Sequence, residues 1–296
     1  NPKEIKMMKL RKWIGLIIGL TYLLFVWGSI VRIHGAGLAC PDWPLCHGKI
    51  IPPFEFLILL EWTHRLGASI VGFITLGIFG VVLIKRKYQD VRWVTGSAFL
   101  LLIVQVLLGA LTVKGLLNPF FVTTHMAVGT LFLSLLIWIF IKLGREKRKI
   151  FHHGLAFYPF SLLMTLFIFI QILMGTWVST SHAGLACPDF PTCFGAWVPP
   201  LKSEVAYQFF HRVGAVIVTG WGIFLWIKAW RARHPRFLLK HATLLLDLIL
   251  SQAGLGIANV LFKLPSLLSI SHLAVAILLF AVSWIITIKL KYATLS

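Results

Sequence analysis

One stretch of this sequence occurs twice. Residues 36–53 read AGLACPDWPLCHGKIIPP and residues 183–200 read AGLACPDFPTCFGAWVPP, with twelve of eighteen positions identical and no gap. The offset of 147 residues continues beyond this segment. His64-Arg65 falls on His211-Arg212, Gln105 and Gly109 fall on Gln252 and Gly256, and His125 falls on His272. One offset held over five segments marks a duplicated chain. Whatever fold one half adopts, the other half adopts as well.

Each half contains four apolar runs, at 13–33, 58–84, 93–113 and 121–142, then at 157–180, 206–228, 239–262 and 267–289. Each is long enough to cross the hydrocarbon core as a helix, which takes about 20 residues. Composition agrees: 58% of residues are hydrophobic, 12% are charged and mean hydropathy is +0.89. A disordered chain is excluded, and so is a soluble domain, which carries about 25% charged residues. An even number of helices returns the chain to its starting side, so the halves share one topology. The expected fold is an all-α polytopic membrane protein of eight transmembrane helices. These form two tandem four-helix bundles related by a pseudo-two-fold axis along the membrane normal. The expected halves are 1–146 and 147–296, linked around Arg145–His153.

The formal net charge of +19 suggests a nucleic-acid partner until the charges are placed on the spans. Twenty-one of the 28 basic residues then fall on one side: before helix 1, in the 2–3, 4–5 and 6–7 connections, and after helix 8. The other side holds Arg32, Lys49, Arg65, Lys114, Lys202, Arg212 and Lys263. The positive-inside rule puts both termini in the cytoplasm of a cell (inner or plasma) membrane protein, with the remaining loops outside. The basic face meets anionic membrane lipid, and no nucleic-acid partner is expected. The chain begins with Asn1 rather than Met, so leading residues are expected to be missing or replaced. Helix 1 is too long to read as a signal peptide alone.

Four histidines stand at matching places: His64, His125, His211 and His272, in the outward ends of helices 2, 4, 6 and 8. Ionisable groups at membrane depth are functional candidates by default. A lone histidine is more often a packed residue bonded to a backbone carbonyl. Four at equivalent positions, two per bundle, favour paired axial ligands to haem iron, one haem per half. Gly67, Ala68, Gly72 and Gly109, with Gly214, Ala215 and Gly256, offer room for a flat macrocycle, although small residues also serve helix packing. Arg65 and Arg212, next to ligand candidates, suit haem propionates or interfacial anchoring. A di-metal carboxylate site is the rival reading. Glu61-x-x-His64 fits its motif, but Gln208 replaces the carboxylate in the repeat, and Asp247 lies toward the cytoplasmic half.

The four cysteines form two Cys-x5-Cys pairs, Cys40 with Cys46 and Cys187 with Cys193, in outward loops where disulfides persist. This spacing is unusual for zinc. A structural staple and a redox role compete for each pair, the latter favoured for the first. The halves also diverge. Glu61, Arg32, His34 and His47 in the first half correspond to Gln208, Ser179, Ser181 and Phe194 in the second. The first half therefore holds the ionisable groups. Glu61, one turn before His64, can stabilise developing charge or move a proton, or it can simply cap the helix.

The doubled AGLACPDWPLC and AGLACPDFPTC loops, Glu61-x-x-His64-Arg65, and the paired His125 and His272 resemble the heme A synthase family across essentially the whole chain. The resemblance implies an oxidoreductase with eight helices in two halves. Such an enzyme converts a ring methyl of heme O to the formyl group of heme A, by successive oxidations, for cytochrome oxidase biogenesis. It implies that His64 and His125 ligate or flank the substrate haem, with Arg65 nearby. It implies that His211 and His272, with Arg212, hold a heme b cofactor. It makes Glu61, Cys40 and Cys46 catalytic. It leaves an electron acceptor to be supplied, a quinone being one option, with heme O synthase a further candidate partner and self-association compatible with the small-residue helix faces. Competing readings are a bis-histidine cytochrome b relaying electrons from quinol, a membrane thiol/quinone oxidoreductase, and a transporter. None of them accounts for the histidines, Glu61 and the cysteines together.

Overall fold

The computed structural model describes residues 2–144, 154–231 and 236–293. The expected linker Arg145–His153, with the boundary between the halves, lies outside the described residues, as does Arg233. Eight helices appear among the described residues: α1 (Pro2–Ile33), α2 (Phe56–Ile84), α3 (Arg92–Lys114), α4 (Pro119–Leu143), α5 (Gly154–Thr180), α6 (Ser203–Arg231), α7 (Arg236–Leu261) and α8 (Ser266–Ala293). All eight contain a stretch long and apolar enough to cross a membrane. In lipid every backbone polar group must be satisfied internally, and helices do this within one segment. Among the described residues there is no strand.

The chain divides into two compact units, Asn1–Arg148 and Lys149–Ser296. In the first unit α1 packs on α2 and α4, and α3 packs on α2 and α4. In the second unit the same pairings join α5 to α6 and α8, and α7 to α6 and α8. Each unit is therefore a four-helix ring.

Local chemistry sets the helix ends. Asn118 caps α4, its side chain accepting from the Phe120 N–H at 2.9 Å, with Pro119 in the first turn. That position suits a residue with no N–H to offer. The α3–α4 turn places Leu116 and Leu117 at φ 52° and 59°, and the α7–α8 turn places Lys263 and Leu264 at 58° and 60°. Side-chain-bearing residues pay a steric cost there, which these turns recover by docking. Leu117 packs where a side chain on Gly37 would stand, 3.2 Å away, and Leu264 does the same at Gly184, 2.9 Å away. The glycine of the repeated AGLAC segment thus receives the neighbouring helix turn.

The interiors differ away from the histidine level. In the first unit Leu10, Ile14, Ile17, Val71, Ile78, Phe132 and Leu136 make an apolar core. In the second unit hydroxyls join α5 to α8: Ser161 to Thr287 at 2.6 Å and Thr165 to Ser283 at 2.7 Å. The corresponding first-half residues are Ile14, Leu136, Ile18 and Phe140. Without a hydrophobic driving force between helices in lipid, such hydrogen bonds help hold the bundle together.

Candidate functional site

The histidines stand where the repeat predicts, and each rests on a glycine of an adjacent helix. An added Cβ on Gly28 of α1 would lie 3.2 Å from Cε1 of His64, and one on Gly109 of α3 would lie 3.4 Å from Cε1 of His125. In the second unit Gly175 of α5 and Gly256 of α7 stand the same way against His211 and His272, at 2.9 and 3.1 Å. The glycines let each imidazole bring its Cε1 close to a neighbouring backbone. In each unit the two histidines lie on diagonal helices of the ring, α2 and α4 in the first and α6 and α8 in the second.

Sequence reasoning took Gly109 and Gly256 as room for a macrocycle, whereas the histidine rings themselves occupy that space. It missed Gly28 and Gly175, although they too are 147 residues apart. Gly67 and Gly214 are likewise filled, by Leu24 and Gln171. Gly72 has no neighbour within 4 Å of an added Cβ.

Glutamines accompany the rings. Gln105 Nε2 lies 3.2 Å from His125 Nε2, and Gln252 Nε2 lies 3.3 Å from His272 Nε2. Buried Nδ1 atoms of His64, His125 and His272 have no protein partner, nor do Oε1 of Gln105 and Gln252. Buried polar atoms are nearly always paired. Orphans that recur at the same places in both units, beside paired imidazoles, fit a ligand that completes each site. Neutral imidazole donors on alternate helices suit haem iron. For the di-metal reading, no group of three or more His, Cys, Asp or Glu suited to a metal ion occurs among the described residues. Asp247 is exposed on α7.

Disulfides join Cys40 to Cys46 and Cys187 to Cys193, with Cα atoms 4.7 and 4.8 Å apart. The arginines hold these loops. Arg65 donates from Nη1 to the carbonyls of Asp42 (2.7 Å) and Leu45 (2.8 Å), and from Nη2 to that of Cys40 (2.9 Å). Arg212 donates to Asp189 (2.8 Å), Thr192 (2.8 Å) and Cys187 (2.6 Å) in the same pattern. Both guanidinium groups therefore already have a role beyond the propionate and anchoring alternatives: they clamp a loop to the helix that carries His64 or His211.

Aspartates close the same loops. Asp42 accepts from the backbone N–H groups of His47 (2.6 Å) and Gly48 (2.8 Å). Asp189 accepts from Phe194 (2.7 Å) and Gly195 (2.9 Å), and also from the Thr192 hydroxyl (2.6 Å). The Gly48 N–H, followed by that of His47, holds the Asp42 carboxyl below its ordinary range. The Thr192 hydroxyl, followed by the Gly195 and Phe194 N–H groups, draws Asp189 down to about 2.

Glu61 is 4% exposed. Its Oε2 accepts from the Cys40 N–H at 2.8 Å and its Oε1 from Arg65 Nη2 at 2.5 Å. Gln208, its counterpart, donates to the Gly184 carbonyl at 3.2 Å. The first unit thus joins a buried carboxylate, an arginine and a disulfide loop into one network a turn from His64. The second unit keeps the arginine and the loop without the carboxylate. His34 and His47 are exposed and make local contacts, His34 Nδ1 to the Ile30 carbonyl and His47 Nε2 to the Ala39 carbonyl, both at 2.9 Å. Arg32 is also exposed.

Fold and site together define a polytopic helical membrane protein whose duplicated units each set a histidine pair on glycine seats, with a disulfide loop clamped to one histidine helix. Comparison with known proteins narrows this class. The chain belongs to the COX15-CtaA family of cytochrome oxidase assembly proteins, whose family model matches residues 11–284. A heme A synthase of Shewanella oneidensis is 30% identical to it over 85% of this chain and 88% of the relative. Heme A synthases of Shouchella clausii and Alkalihalophilus pseudofirmus are 30% and 29% identical, over 91% and 94% of this chain and 93% and 95% of those proteins.

Proposed function

We propose that this chain is a heme A synthase, an oxidoreductase that takes heme O as substrate and converts one ring methyl to the formyl group of heme A. The observation that carries the assignment of roles is the asymmetry between matching units. Both have the histidine pair, the glycine seats and the arginine-clamped loop, while the first alone has Glu61. Chemistry on a substrate needs a group that can hold charge or take a proton, and a resident cofactor site does not. The first unit is therefore the substrate site, with His64 and His125 flanking or ligating heme O. The second holds heme b between His211 and His272.

Each of two oxidations replaces one methyl C–H by C–OH, taking the oxygen from water and giving up two electrons to the acceptor and two protons, and the resulting hydrated aldehyde loses one water. Bound between His211 and His272, heme b supplies one-electron transfer. Glu61 provides a fixed negative charge one helical turn from His64. Arg65 and the Cys40 N–H orient that carboxylate, which makes it a proton acceptor whose position depends on the Cys40–Cys46 loop. Cys40 and Cys46 support catalysis by keeping that loop closed. A quinone is the proposed electron acceptor, and heme O synthase the proposed supplier of substrate. The excess of basic residues on one side supports a topology with both termini in the cytoplasm and both cysteine loops at the outer face of the cell membrane.

The experiment is heme A formation by a Glu61→Ala variant in cells that make heme O. Lost heme A with heme b still bound supports the assignment. Undiminished heme A overturns it.

A further inference from the structure

Gln171 departs from the duplication. It lies on α5 beside His211, and the residue at its place in the first unit is Leu24. Its amide nitrogen lies 2.7 Å from the His211 carbonyl oxygen and 3.0 Å from His211 Nδ1. Both residues use the same seat. An added Cβ on Gly214 would lie 2.2 Å from Gln171 Oε1, and one on Gly67 would lie 2.9 Å from Leu24 Cδ2. The consequence for the neighbouring ring is opposite in the two units. His64 Nδ1 is buried with no partner, whereas His211 Nδ1 has a polar one. The other histidine pair cannot account for a difference, because Gln105 and Gln252 meet His125 and His272 alike.

Resting on the haem assignments above, we propose that Gln171 is a positioning residue that makes the second unit a permanent haem site, and that Leu24 makes the first exchangeable. A group hydrogen-bonded to the far nitrogen of a ligating histidine fixes the ring and its tautomer and raises its basicity. The Gln171 amide offers both a donor and an acceptor. While the His211 carbonyl takes one of its N–H bonds, the ring Nδ1 accepts the other, so His211 carries its proton on Nε2. Ligation through Nε2 moves that proton to Nδ1, and the amide turns its oxygen to receive it, giving up its donation to the ring and to the His211 carbonyl and swinging clear of that carbonyl. Leu24 can do neither, so His64 is held by packing alone. A substrate site must release its product and a cofactor site must not, and one side-chain difference on equivalent helices supplies that distinction.

The test uses the full chain purified from haem-replete cells, in three forms: wild type, Gln171→Leu and Leu24→Gln. Haem loss to excess apomyoglobin gives the dissociation rate, and a potentiometric titration gives the heme b midpoint potential. In Gln171→Leu, heme b should leave at least about 10-fold faster, within the range for lost partners of metal ligands. Its potential should rise as the ligand becomes less basic, a change that loosened packing alone does not produce. Leu24→Gln should retain first-unit haem that wild type loses, with the heme b potential unchanged. Should Gln171→Leu not accumulate, Leu24→Gln decides alone. Wild-type dissociation and potential in the variants that accumulate overturn the proposal. Wild-type protein lacking heme b overturns the haem assignment instead, so the two failures are distinguishable.

Discussion

Glu61 Oε1 and Arg65 Nη2 stand 2.5 Å apart on successive turns of α2. The pair also grips Cys40 from both sides, Glu61 at its N–H and Arg65 at its carbonyl. A substitution at Glu61 therefore tests chemistry and loop position together, and Glu61→Gln separates them, because Gln208 shows that an amide is tolerated at the same place. Glu61→Gln should keep the disulfide and the heme b content while lowering heme A formation by about 100-fold or more, the usual minimum for losing a positioned proton-transfer group. Haem extraction and chromatography read both quantities.

The glycine seats give a graded series. Gly175→Ala places a methyl 2.9 Å from the His211 ring, and Gly256→Ala places one 3.1 Å from that of His272. Gly109→Ala makes only ordinary contact, at 3.4 Å. Forcing a methyl into packed space costs about 1–3 kcal/mol. Heme b per chain should fall more in Gly175→Ala than in Gly256→Ala and stay unchanged in Gly109→Ala, whose seat belongs to the first unit, measured by pyridine haemochrome. A reversed order would mean that the rings do not rest on these backbones when haem is bound.

Arg212 makes three bonds to loop carbonyls with a planar fork. Lysine reaches the same region as a point charge and cannot reproduce that geometry. Arg212→Lys should destabilise the Cys187–Cys193 loop by about 2 kcal/mol, the scale of a lost hydrogen bond from a charged donor. Faster amide exchange at residues 187–196, with α6 unchanged, is the expected result.

Acid should open the loops in a set order. Asp42 and Asp189 titrate below their ordinary range. Each therefore contributes stability that is present above the unfolded carboxyl value, about 3.9, and is lost as pH falls through the folded value. For Asp189 that value is about 2, helped by the Thr192 hydroxyl, whose counterpart is Leu45. Protection in 40–49 should fade before protection in 187–196 as pH drops below roughly 4. Thr192→Leu should remove the difference. Amide exchange on acidification checks both.

Much of this was legible in the sequence because duplication turns weak signals into paired ones. A single membrane histidine reads as packing, but His64, His125, His211 and His272 at one offset do not. The helices followed from apolar runs, since lipid leaves few other solutions. The seats Gly28 and Gly175 shared the same offset and were findable, but glycine is common in membrane helices and nothing in a sequence says what faces it. Arg65 was read from its neighbour in sequence, His64, while its side chain reaches the carbonyls of residues 40, 42 and 45. Backbone acceptors carry no residue signature, so that clamp is visible only in the fold. Gln171 was passed over because its repeat partner is Leu24, and its role appears only once His211 is seen beside it.

The central claim is that one chain holds two haems of different standing, a resident heme b in the second unit and heme O or heme A in the first. Identification of the extracted haems in wild type, His211→Ala and His64→Ala tests it most directly. The account predicts heme b with some heme O or A in wild type, loss of heme b in His211→Ala, and heme b retained in His64→Ala while heme O and A disappear. A colourless wild-type protein from haem-replete cells, or heme b retained in His211→Ala, would contradict it.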